Sequence, residues 1–144
     1  MEPARKPATI SRAKSLSDVA AWSASYAVFQ RNLRDWVELV RACPVRAQVL
    51  GSVLVPPKLL RGRFPEGAVA DAWLAGYAEH VCLHASADIP EWALKPNRFL
   101  AAPNFDPGVN DPRQRALVLD QSPEAFRRRN IFTTAVDLRL RLQP

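Results

Sequence analysis

Glycine is scarce and scattered in this 144-residue chain. The five glycines stand at positions 51, 62, 67, 76 and 108, and no group of them could present successive backbone amides to a phosphate, which excludes a glycine-rich nucleotide loop. Cysteine is scarcer. Cys43 and Cys82 lie far apart, too few to staple a small fold, and are read as two reduced thiols. No apolar run approaches the roughly 20 residues that cross a bilayer, and the N-terminal stretch lacks the apolar core of a secretory signal. The expectation is a soluble, cytoplasmic protein without membrane contact.

Proline and arginine are plentiful. Thirteen prolines against five glycines imply helices cut short by rigid loops rather than strands joined by tight hairpins. Lys plus Arg total 20 against 14 Asp plus Glu, a formal net charge of +6. Such a balance attracts acidic partners, nucleic acid and acidic protein surfaces alike, and cannot choose between them. With 48% hydrophobic and 24% charged residues, the chain has the balance of one globular domain.

The fold expected is mainly α: a single compact helical domain over 15–144, with an irregular Pro-rich segment, preceded by a flexible basic arm over 1–14. Ser15 and Asp18 have the spacing of a helix capping box. From there Trp22, Tyr26, Phe29, Leu33, Val37 and Val40 recur at spacings of three and four, one stripe on a helix reaching about Ala42. A second helix is expected over 45–54, stopped by Pro56-Pro57. A third, over about 66–87, is apolar around so much of its girth that it belongs at the centre. Between Asp88 and Pro112, turn formers alternate with Trp92, Phe99, Leu100 and Phe105, a pattern suited to an ordered wrap fastened by its rings. Helix is preferred over strand for Arg113–Leu119. Ser122-Pro123-Glu124 has the form of a helix start, Asn130 suits a left-handed helix end, and Thr134 opens a last short helix or an alternating strand.

Candidate chemistry is thin. His80 and His84 have the spacing of two ligands on a helical zinc site, but Val81 stands where a water-activating glutamate belongs, so no metal is assigned. Neither cysteine has the surroundings of a nucleophile. No catalytic residue and no cofactor is therefore expected, and an enzyme is the minority reading. The run Arg127-Arg128-Arg129 lies between Phe126 and Phe132, rings read as core anchors. Successive helical residues point about 100° apart, so the three arginines cannot all be buried.

The stretch "WLAGYAEHVCLHASADIPEWALKPNRFL", then "RALVLDQSPEAFRRRNIF" and a final "DL", resembles small helical proteins found beside putative toxins in bacterial two-gene toxin–antitoxin modules. The likeness covers roughly residues 69–138. Its marks are Trp73, Glu79-His80, Pro90-x-Trp92, Arg98-Phe99-Leu100, Ser122-Pro123 and Phe126-Arg127-Arg128 before Ile131-Phe132. It implies a non-enzymatic, antitoxin-like protein that binds and neutralises a cognate, acidic toxin. Arg98, Arg113, Arg127, Arg128 and Arg129 are the candidate partner contacts, and reversing charge at Arg128 and Arg129 is expected to weaken binding with little loss of stability. A nucleic-acid-binding regulator is the alternative. A helix-turn-helix is not evident near Arg46 to Arg63, where two prolines occupy the place of a tight turn.

Overall fold

In the computed structural model, residues 12–106, 108–134 and 138–141 are described. Six α-helices are found among them: α1 Leu16–Ala21, α2 Tyr26–Ala42, α3 Arg46–Leu54, α4 Gly67–His84, α5 Pro112–Gln121 and α6 Glu124–Arg127. Two single-turn 3-10 helices, Glu91–Leu94 and Pro96–Arg98, interrupt the long connection after α4. The short strands β1 Asn104–Phe105 and β2 Ile131–Phe132 pair in parallel, Asn104 opposite Ile131 and Phe105 opposite Phe132.

The expected first helix is two. Ser15 does cap α1, accepting from the Asp18 amide at 3.0 Å, but the chain leaves the helix at Trp22 and restarts at Ser25, whose hydroxyl accepts from the Val28 amide at 3.3 Å. The break is held by side chains that compete with the helical backbone. Ser23 Oγ donates to the Val19 carbonyl at 2.5 Å, and the buried Asn32 amide donates to Trp22 O and Ser23 Oγ, both at 3.2 Å. The buried stripe of α2 is consequently Phe29, Leu33, Trp36 and Val40, while Tyr26 and Val37 stand at its edge.

The helix α4 is the centre. Its buried residues fall on every side, including Ala70, Leu74, Ala78 and Val81, as its apolar girth suggested. Two glycines let neighbours approach it. A Cβ at Gly67 would sit 2.1 Å from the Leu60 carbonyl oxygen, and one at Gly76 would sit 2.8 Å from two carbons of the Phe126 ring. Polar ties fix the other layers: Trp36 Nε1 donates to Ser52 Oγ of α3 at 3.0 Å, and Trp92 Nε1 to the Val53 carbonyl at 3.0 Å.

At the C-terminal side, Ser122 does not cap α6. It ends α5, donates to the Val118 carbonyl and accepts from the Thr133 amide at 2.9 Å, so it joins that helix to the segment after β2. Asn130 does adopt the left-handed conformation, φ 63°, and its side chain donates to the Leu100 carbonyl at 2.7 Å. Most of the expected basic arm lies outside the described residues. Of its last three residues, Ala13 is fully buried and Arg12 pairs with Glu38 at 3.3 Å, so the chain is anchored slightly earlier than expected. Most of the final helix expected after Thr134 also lies outside the described residues, and 138–141 are neither helix nor strand.

Candidate functional site

The only charged residues on α4 before its terminal histidines are Asp71 and Glu79, and both are buried. An isolated buried carboxylate is costly, so each must be met by donors. Asp71 accepts from the Leu60 amide at 2.6 Å and the Arg61 amide at 3.1 Å, with Arg61 Nε at 3.3 Å and Arg98 Nη1 at 3.6 Å. Glu79 accepts from Arg129 Nη1 at 2.8 Å and from Arg128 Nη1 at 3.1 Å.

These pairs relocate two of the five candidate contacts. Arg129 is inside the molecule: it also donates to Ala125 O at 2.7 Å and Ala93 O at 2.6 Å, and its guanidinium lies 4.5 Å from the Phe99 ring centroid. Arg98 is buried too, donating to Pro57 O at 2.6 Å and lying 4.8 Å from the Trp92 ring centroid. Burial pulls the pKa of both below the ordinary arginine value, against the upward pull of their carboxylates. Neither guanidinium offers a free surface to a partner, because both are buried and turned toward α4 and the carbonyls of Pro57, Ala93 and Ala125. The sequence signal was available in Asp71 and Glu79, acids on a helix otherwise apolar all round, which demand internal cations.

The remaining candidates are outside. Arg128 stays 43% exposed while holding Glu79. Arg127 donates to the Ser122 carbonyl at 2.9 Å, at the end of α5. Arg113 is exposed on α5 and meets no acidic partner among the described residues. Asp111 caps that helix by accepting from the Gln114 amide at 2.9 Å, and Gln114 Oε1 accepts from the Asn110 amide at 3.0 Å. Of its ten residues only Val118 is buried, and Leu117 and Leu119 are 50% and 47% exposed.

The His80 and His84 rings lie against each other, centroids 4.2 Å apart and tilted by 49°, with His84 Nδ1 3.0 Å from the His80 carbonyl oxygen. Burial, then the neighbouring His84, pushes His80 down to about 4. Among the described residues no group of three or more His, Cys, Asp or Glu converges as a metal site requires. Burial first, then Asp88 and Glu79, raises the Cys82 thiol. Among the described residues no helix is long and apolar enough to cross a membrane.

A cleft of about 320 Å³ opens between α2 and α4. Tyr26 and Phe29 stack along one side, centroids 5.8 Å apart at 15°, and Trp73 and Tyr77 form the other, 5.9 Å apart at 31°. Gln30, Leu33, Arg34, Val37 and Asp106 complete the lining. Burial, with Asp106 adding to it, pushes the Tyr77 hydroxyl up to about 12. Comparison with protein-family models, curated proteins and solved structures finds no match for the chain.

Proposed function

We propose that the protein is a non-enzymatic binding protein that holds and neutralises a cognate acidic partner protein, the antitoxin-like role implied by its C-terminal half, through α5 and the turn after it. The exposure of α5 carries the reading. A helix of ten residues has little stability of its own, and this one gives a single side chain to the core while two leucines stand half in water. Arg113 lies one turn before Leu117, and Arg127 closes the far end of the helix. Large apolar groups beside guanidinium donors are the composition of an interface centre, where water-excluded arginine–carboxylate bonds are strongest. The working cations on this reading are Arg113, Arg127 and Arg128, with Arg98 and Arg129 supporting the frame behind them.

The test places a photo-reactive residue at the exposed Gln121, one turn beyond Leu117, with the exposed Gln48 of α3 as control, in cells of the native host. The expected result is one protein adduct at Gln121 alone, lost in Leu117→Asp and Arg113→Glu. That protein should arrest growth when expressed alone and be relieved by the wild-type chain but not by the two variants. An adduct with nucleic acid, released log-linearly by salt, would replace this reading with the regulator. No adduct at Gln121 would end it.

A further inference from the structure

The aromatic cleft between α2 and α4 has buried core residues, Phe29, Leu33 and Tyr77, among its lining, and two half-buried rings, Tyr26 and Trp73. Tyr77 is buried, meeting Trp36 and Phe126 edge-on at 5.6 and 5.0 Å, whereas Trp73 tilts against Phe126, centroids 5.2 Å apart, and is only half-buried beside a space of about 320 Å³. That volume lies at the lower end of small-molecule sites, enough for one or two fused rings.

Two opposite charges line this space without meeting. Arg34 is exposed and makes no ion pair among the described residues. Asp106 is oriented by Thr133 Oγ1, which donates to Oδ2 at 2.7 Å, and by the Gly108 amide, which donates to Oδ1 at 3.3 Å. Two donors leave a carboxylate with lone pairs to spare, whereas the guanidinium has no counter-ion. The cleft therefore lacks an anion at Arg34 and has room for one more donor at Asp106.

We propose that this cleft binds a small aromatic carboxylate carrying a ring N–H or O–H, its ring between the half-buried Tyr26 and Trp73, its carboxylate on Arg34 and its donor on Asp106. The proposal does not rest on the role of α5, although Asp106 also borders a smaller hollow lined by Leu117 and Val118 of that helix. Aromatic walls alone would favour a cation over their faces. The unpaired guanidinium and the net charge of +6 reverse that preference.

Four probes sharing one ring system separate these effects: indole-3-acetate, tryptophan, tryptamine and indole, titrated calorimetrically into the full chain. Indole-3-acetate and tryptophan should bind more tightly than tryptamine and indole. Arg34→Gln should weaken the two acids about tenfold, the worth of a charge-assisted bond, and leave indole unchanged. Arg31→Gln, an exposed change on the same helix outside the cleft, should alter none by more than about twofold. Tightest binding by tryptamine, equal binding of acids by Arg34→Gln and wild type, or no heat with any probe would each overturn the assignment.

Discussion

Arg129 donates to Glu79 at 2.8 Å across fifty residues of sequence, at a place where neither side chain reaches solvent. Such a pair is tolerable because the guanidinium spends further donors on two carbonyls and the carboxylate gains a second cation from Arg128. It ties the turn after α6 to the central helix and to the first 3-10 turn at once.

The three arginines of the run should therefore separate sharply in stability. Arg129→Met leaves Glu79 buried with one half-exposed partner and is expected to cost about 3–5 kcal/mol, whereas Arg128→Ala should cost about 1 kcal/mol or less. Arg127→Ala, losing a part-buried bond from an exposed side chain to a helix-end carbonyl, should fall with Arg128. Urea midpoints of the three variants measure the order, and equal losses across the run would contradict it.

Gly67 and Gly76 should not tolerate alanine, despite the usual helical gain of somewhat under 1 kcal/mol. At Gly76 the new methyl meets the Phe126 ring and should cost about 1–3 kcal/mol, partly recovered by Phe126→Leu. At Gly67 it meets the backbone of Leu60, which cannot yield without drawing the Leu60 amide off Asp71, so the loss should be larger. Thermal unfolding of both single variants and the double variant gives the ranking.

His80 should make the fold sensitive to mild acid. Its folded value of about 4 lies below the unfolded value of 6.5, so the unfolded chain binds the extra proton as pH falls between them. Stability is then fully present above about 6.5 and declines toward 4. His80→Phe should flatten the dependence of the denaturation midpoint over that window relative to wild type, and an unchanged slope would show that His80 is not its source.

The two thiols should react at very different rates. Cys82 is buried with its pKa raised, while the half-buried Cys43 sits at the end of α2 with its Sγ 3.4 Å from Gln48 Oε1. A chromogenic disulfide reagent is expected to modify one thiol per native chain, abolished by Cys43→Ser, and two after denaturation.

The helices were legible where periodicity and capping agreed. Pro56-Pro57 ends the second helix, the apolar girth of Gly67–His84 marks the centre, and Phe126 is a core anchor. The break between α1 and α2 was not, because the stripe through Trp22 and Tyr26 continues across it and only the Ser23–Asn32 contact reveals it. Asp71 and Glu79 on the apolar α4 called for internal cations, but that Arg98 and Arg129 supply them was hidden. Their carboxylates stand far away in sequence, and a run of arginines at a helix end has a solvated explanation from local rules alone. The aromatic cleft escaped for a related reason: Tyr26, Phe29, Trp73 and Tyr77 all lie at stripe positions, and spacing cannot tell the buried Phe29 and Tyr77 from the half-buried Tyr26 and Trp73.

The placement of Glu79 also orders the assembly of the chain in time. During synthesis its carboxylate emerges about fifty residues ahead of the guanidinium that covers it. The middle helix can settle into a dry interior only after the segment carrying Arg128 and Arg129 has also left the ribosome, so closure around Glu79 waits for a late-arriving latch.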